Sequence, residues 1–194
     1  MTENIRIYTD EELNIRNDGL KLIKVGMEEL GIEFFLLMGV LLGAIREKDF
    51  IKWDWDIELG FFTDSIIHRT DEIKKTFEKY DFEVKVINRD YNNFKINLFY
   101  NNNKYTLWGL NYKNKWLQRE TFKFPKKHFD VFDELEFCGQ TYMIPNNVEE
   151  LLTFIYGDWE TPHKTLVKTD YFSGNANIFN KKSIFKRIIK KIIH

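Results

Sequence analysis

Residues 39–60 read GVLLGAIREKDFIKWDWDIELG, and this stretch decides the fold. A Gly-led turn opens an apolar helix, Gly39 to Ile45, with basic Arg46 near its end. Asp54, Asp56 and Glu58 then fall at every second position, interleaved with Trp53, Trp55, Ile57 and Leu59. Side chains of a strand alternate faces, so the three acids would share one face, neighbours about 7 Å apart. The apolar partners would take the other face and embed the strand in a core. Three carboxylates on one face repel one another, and a divalent cation is the usual remedy. The free N–H groups and dipole of a Gly-led helix start favour an anion. A cation site beside a phosphate cradle is the requirement of phosphoryl or nucleotidyl transfer. The plainer reading, a solvated acidic sheet face, has the two tryptophans and the helix start against it.

Outward from this stretch, the chain reads as alternating helices and strands. Thr9 with Glu12 forms a capping-box pattern ahead of an amphipathic helix over residues 10–30, which Gly31 ends. Glu33 to Leu37 reads as a short buried strand leading into the Gly39 turn. Ser65 to Tyr80 reads as one helix, and Phe82 to Ile87 as an alternating strand. Phe94 to Tyr100 and Lys104 to Leu110 read as a hairpin about the Asn-rich turn 101–103. Residues 116–124 fit no element. Leu135 to Ile144 reads as a hairpin turning at Gly139, and Asn147 to Tyr156 as a capped helix.

Composition narrows the function classes. The chain has 194 residues, 43% hydrophobic and 16% aromatic, which is enough for one well-cored domain. Net charge is −1, which argues against a generalised nucleic-acid binder. That balance hides an asymmetry: six of the 29 Lys and Arg lie in residues 181–194, leaving 23 against 30 acids. The single cysteine, Cys138, can form no intrachain disulfide and sits beside an apolar run, so a structural role and a reducing, cytoplasmic setting are expected. The N-terminal MTENIRIYTDEEL has no apolar core and predicts no signal peptide.

The run Gly39-x-Leu41-Leu42-Gly43-x-x-Arg46, followed by Ile51-x-Trp53-Asp54-x-Asp56, resembles the signature of the LicD family. That family includes bacterial phosphocholine transferases and is related to the fukutin group of ribitol-phosphate transferases. A second patch agrees with it: Phe124-Pro125, Phe137 to Pro145, Leu151-Leu152, Tyr156-Gly157-Asp158-Trp159 and Pro162. The likeness runs from about residue 20 to about residue 165. It implies an α+β, nucleotidyltransferase-like fold, a mixed β-sheet flanked by helices. It implies Mg²⁺- or Mn²⁺-dependent transfer of a phosphorylated alcohol from a CDP-linked donor to a sugar hydroxyl, the glycan acceptor being lipid-linked or not. Asp54, Asp56 and Glu58 are the expected metal ligands, with Glu58 alternatively the base. Arg46 is the expected phosphate clamp. Gly39 and Val40 of the turn, Asn97 and Trp159 complete the expected donor site.

Two positions depart from the family pattern. Val40 stands where Ser or Thr is usual, so only backbone N–H groups remain for a phosphate there. Asn97 stands where related nucleotidyltransferases place a third carboxylate, and an amide cannot act as a base at neutral pH. Glu58 is the residue able to take over. Both departures keep two alternatives open: a nucleotidyltransferase using an NTP on a small molecule or protein, and a non-catalytic binding module. His163 is a minor acid/base candidate, and Lys126 and Lys127 form a basic loop pair. Residues 1–165 are thus expected to form the domain and 166–180 a linker. In residues 181–194, SIFKRIIKKIIH from Ser183 onward divides into an Ile/Phe half and a Lys/Arg half. That is the pattern of a C-terminal amphipathic helix lying on an anionic membrane, with packing on protein as the competing role. The expected location is cytoplasmic, peripheral on the inner membrane face.

Overall fold

The computed structural model describes residues 5–164, 172–173 and 175–176. The first helix, α1 (Asp10–Leu30), starts where expected. Thr9 and Glu12 exchange both capping-box hydrogen bonds, and Gly31 ends the helix at φ 59°. The short strand β1 (Phe35–Leu36) runs into α2 (Met38–Arg46). Met38 enters the helix at φ 54°, a costly conformation for a non-glycine residue and one that concentrates at functional sites.

The chain then departs from the expected register. The strand after the acids, β2 (Ile57–Phe62), begins at Ile57. Residues 53–56 form a turn and loop, so Asp54 and Asp56 precede the strand and only Glu58 lies within it. The expectation that Trp55 buries opposite the acids is corrected: Trp55 is 57% exposed. With no strand there, nothing forces alternation, and an adjacent cation can cover the indole instead. Trp53 is half-buried against the core.

The expected helix over 65–80 is two, α3 (Thr63–Ile66) and α4 (Thr70–Glu78). Strand β3 (Glu83–Asn88) follows, then β4 (Lys95–Tyr100) and β5 (Asn103–Lys113), a hairpin whose two turn residues, Asn101 and Asn102, both have positive φ. The unplaced stretch forms a further hairpin, β6 (Trp116–Arg119) and β7 (Phe122–Pro125), which extends the far end of β5. A last hairpin, β8 (Phe132–Phe137) and β9 (Gln140–Pro145), turns at Cys138-Gly139, and α5 (Val148–Tyr156) follows.

The sheet order is β3-β4-β5-β2-β1-β9-β8. The β2–β5 and β1–β9 pairs are parallel and the rest antiparallel, a mixed sheet of the α+β class. Register then sorts the faces. Ile57, Leu59, Tyr105, Leu107, Ile96 and Leu98 fill one face as core, under α1 and α4. Helix α1 lies so close that a Cβ on Gly19 would meet the Tyr105 hydroxyl at 2.1 Å, and that hydroxyl donates to the Arg16 carbonyl at 2.6 Å. The other face carries Glu58, Thr106, Asn97, Trp108 and Lys95.

Among the described residues, no helix is long and apolar enough to cross a membrane. The tail 181–194 lies outside the described residues. Of the stretch expected as linker, Ser173 donates its N–H to the Ile155 carbonyl at 2.9 Å, and Ala176 accepts from Lys123 at 2.9 Å.

Candidate active site

The polar sheet face opens into a cavity of about 340 Å³. Its floor includes Glu58, Lys95 and Trp108; its walls come from α2 (Met38, Gly39, Leu42, Arg46) and from Tyr156, Asp158 and Trp159. Asp54 and Asp56 project into it from the loop before β2. The three acids therefore meet in one cavity, although they do so from a turn and a strand rather than from one alternating strand.

Gly39 is where the turn reaches the acids. A Cβ at this position would lie 1.9 Å from Asp54 Oδ2, so only glycine lets the backbone come this close. The backbone N–H groups of Trp55 and Asp56 donate to the Asp54 carboxylate. Burial, then the neighbouring Asp56 charge, nonetheless push Asp54 up to about 7, against a smaller opposing pull from Arg16. Burial, then Asp56 and Asp54, hold Glu58 well above the usual carboxylate range. Tyr156 is likewise raised by burial, then by Glu58 and Asp54, so its hydroxyl keeps its proton.

Asp56 is 5% exposed. Its Oδ2 accepts from Lys104 Nζ at 2.9 Å and from Thr106 Oγ1 at 3.3 Å. Its Oδ1 is enclosed with no partner, and so is Glu58 Oε2. Two orphaned carboxylate oxygens facing one cavity are the mark of a group that prefers a cation, because a buried unpaired acceptor costs about 1–3 kcal/mol. An all-oxygen donor set suits Mg²⁺ or Mn²⁺. Among the described residues, no three His, Cys, Asp or Glu side chains are already grouped as a ready metal cage. The acids fit a hard cation by chemistry and by their unmet oxygens.

The remaining expected residues are placed as follows. Arg46 lines the cavity, but Nε donates to Glu47 at 2.8 Å and Nη1 to the Trp159 carbonyl at 2.9 Å. It thereby straps the loop after α5 to α2. Trp159 lines the cavity while Nε1 donates to Thr153 at 3.2 Å. Val40 is buried in the core and does not line the cavity, whereas its neighbour Gly39 does. Asn97 is buried beside the site, within 3.3 Å of the Thr106 hydroxyl, and is not part of the cavity wall. His163 lines the cavity. Lys126 and Lys127 do not; they pair with Asp130 and Glu150. Cys138 is structural in character: burial, then Asp49, push its thiol up to about 11.

Sequence reasoning missed three cations. Lys104 covers both Asp56 and the Trp55 ring, 4.1 Å from its centroid. Arg16, buried on α1, donates to the Asp54 carbonyl at 2.8 Å and to Asn103 Oδ1 at 3.2 Å, fixing the acidic loop from beneath. Lys95 lies on the cavity floor. Lys95 and Asn97 share a strand face, so the alternation about Asn97 could have pointed to Lys95. Arg16 has no such signal, since only the tertiary fold brings α1 under the loop.

Residues 31–147, more than half of the chain, match the family described as LicD/FKTN/FKRP, nucleotidyltransferase domain. The chain belongs to the LicD/FKTN/FKRP family. Two relatives are the mouse and human proteins named ribitol 5-phosphate transferase FKRP, each 28% identical over 144 residues. The match covers 68% of this chain and 29% of each relative, so the chain spans under a third of their length. Among solved structures, the antibiotic-resistance factor ANT(2'')-Ia in solution superposes with a TM-score of 0.49 at 12% identity, covering 69% of this chain and 66% of that one. A putative nucleotidyltransferase from Thermotoga maritima gives 0.42 at 12% identity, covering 75% and 87%. The fold assignment of this LicD-family domain rests on its own topology and on the family match.

Proposed function

We propose that this LicD-family domain transfers a phosphorylated alcohol, of the phosphocholine, ribitol-phosphate or glycerol-phosphate type, from a CDP-linked donor to a sugar hydroxyl. The acceptor is a cell-surface polysaccharide or its lipid-linked precursor. The observation that carries the reading is the pair of enclosed, unpartnered oxygens, Asp56 Oδ1 and Glu58 Oε2, in a cavity lined by Gly39 and Arg46. The name of the relatives, ribitol 5-phosphate transferase, supports the reaction class.

Asp54 and Asp56 would hold Mg²⁺ or Mn²⁺, which supplies charge stabilisation on the phosphoryl oxygens. Glu58 would be the third ligand or, once a bound cation offsets the burial that favours its protonated form, the base that takes the proton of the acceptor hydroxyl as its oxygen bonds to phosphorus. The bond from phosphorus to the CMP oxygen breaks, and CMP leaves. Arg46 faces the departing phosphate with the donors left free by Glu47 and Trp159. Tyr156, Trp159 and Trp53 line the cavity, where they would border a base or sugar and exclude water from the reacting centre. The basic tail would bring the domain to anionic lipid; removing residues 181–194 should lower partition onto anionic vesicles, and unchanged partition would reject that role.

Calorimetry with CDP-ribitol, CDP-glycerol, CDP-choline, CTP and ATP, each with and without Mn²⁺, tests the reading. Metal-dependent preference for one CDP-alcohol is expected. Preference for a triphosphate would replace the reading with nucleotidyl transfer, and binding of none would leave a non-catalytic module.

A further inference from the structure

At the carboxylate end of the cavity two acid oxygens, Asp56 Oδ1 and Glu58 Oε2, lack partners, and the opposite shortage exists at its other end. Lys95 lies on the floor with no hydrogen bond or ion pair among the described residues. Directly across the β4–β5 register stands Trp108, 8% exposed, whose Nε1–H is enclosed and unpartnered. Behind it Arg119, 4% exposed, holds its guanidinium 4.8 Å from the Trp108 ring centroid. Arg119 Nε is also unpartnered, and Nη1 has only a 3.4 Å contact with Glu120. An ammonium, an indole N–H and a guanidinium are donors without acceptor capacity. Burial, then the neighbouring Lys104 and Arg119 charges, lower the proton affinity of Lys95, with Asp56 and Glu58 opposing more weakly. This corner presents unmet donors and positive charge, the inverse of the acids.

Its distance from the acids follows from the sheet. Lys95 pairs with Trp108, which pairs with Gly60, two residues beyond Glu58. Strands about 4.8 Å apart and a rise of about 3.4 Å per residue place the Lys95 backbone roughly 12 Å from that of Glu58. The Lys95 and Glu58 side chains share one face and bridge part of that gap, so it is the exclusively donor character of this corner that marks it off from the acids.

We propose that Lys95 and the Trp108 Nε1–H, backed by Arg119, form an anion subsite that takes a phosphate or carboxylate of the ligand, separate from the group held by Arg46 and the acids. The proposal deepens the transferase reading, in that the bound substrates carry an additional anionic group. Its source is either a phosphate of the donor or an acid group on the acceptor.

The probe is inorganic phosphate, and the readout is the ¹H–¹⁵N spectrum of the five indole groups in the full chain, with Trp108 assigned through Trp108→Phe. In metal-free protein, phosphate should move the Trp108 indole signal saturably, while chloride at equal ionic strength should not. Lys95→Gln should weaken that titration by about five-fold or more, with the other indole signals in place as proof of folding. With Mg²⁺ and CDP-ribitol bound, a persisting phosphate response assigns the group to the acceptor. A shift caused by CDP-ribitol itself, with the phosphate response lost, assigns it to the donor. A Trp108 signal indifferent to phosphate at tens of millimolar, or a Lys95→Gln titration identical to wild type, overturns the proposal. If no CDP-alcohol binds while phosphate still moves the signal, the transferase reading falls and the subsite stands.

Discussion

Removing the charge of Asp54 should stabilise the metal-free protein at alkaline pH, although the residue lies in the candidate active site. Asp54 is held at about 7, against an ordinary value of 3.8, by burial and then by Asp56. The gap, at about 1.4 kcal/mol for each pH unit, amounts to roughly 4 kcal/mol. The cavity opening lets water relieve part of this, so about 2–4 kcal/mol is expected. The sign follows from the direction of the shift. A group whose folded value is raised contributes stability that is complete below the unfolded value and is lost as pH rises through the folded one. Metal-free wild type should therefore weaken between about pH 4 and pH 7, the window between those values. Asp54→Asn keeps the acceptor for the Trp55 and Asp56 N–H groups and should flatten that slope. Urea unfolding in EDTA across this range, for both proteins, measures the difference directly. Mn²⁺ should restore wild type at pH 8 and leave Asp54→Asn little changed, because a ligand stabilises only the state that binds it. Coincident pH profiles for the two proteins in EDTA would refute the assignment of a buried, cation-seeking carboxylate.

Three further outcomes follow from the same geometry. Asp56→Asn should reduce Mn²⁺ affinity by more than about 100-fold while circular dichroism stays native; retained affinity in calorimetry would remove Asp56 from the ligand set. Gly39→Ala places a methyl 1.9 Å from Asp54 Oδ2, and should lower the unfolding free energy by about 1–3 kcal/mol and weaken Mn²⁺ binding together; a neutral result by thermal melting and metal titration would contradict the close approach. Arg46→Ala unties the strap to Trp159 and should make residues 157–161 more accessible to limited proteolysis; Arg46→Lys should not rescue, since it cannot span both Glu47 and the Trp159 carbonyl. Equal cleavage of all three proteins would show that the strap does not hold the loop.

Local chemistry made much of this legible in the sequence. The capping box of Thr9 and Glu12, the Asn101-Asn102 turn and the Gly139 turn each act within a few residues, and each appears where expected. The grouping of Asp54, Asp56 and Glu58 was legible too, although alternation gave the wrong local geometry: the strand starts at Ile57, and Trp55 stands in solvent beside Lys104. What stayed hidden depends on long-range approach. Arg16 is 38 positions from Asp54, and Lys104 is 48 from Asp56. No pattern within a window can bring such pairs together. The β6–β7 hairpin was missed because Trp116 to Arg119 and Phe122 to Pro125 are four-residue strands, too short to show a period. That hairpin places Arg119 behind Trp108, so this part of the positive end was invisible as well.

These opposed ends give the site its logic. Two acid oxygens stand unpartnered on one side, and donors stand unmet on the other, across a floor shared by β2, β5 and β4. A ligand bearing phosphates, bound with a divalent cation, would satisfy both ends at once under the proposed function. Electron paramagnetic resonance of Mn²⁺ titrated into wild type and Asp56→Asn, with and without CDP-ribitol or CDP-glycerol, tests this most directly. The account predicts a saturable Mn²⁺ site in wild type that tightens when a CDP-alcohol is added and is absent in Asp56→Asn. Mn²⁺ binding equally well to both proteins, or not at all to wild type with any CDP-alcohol present, would contradict it.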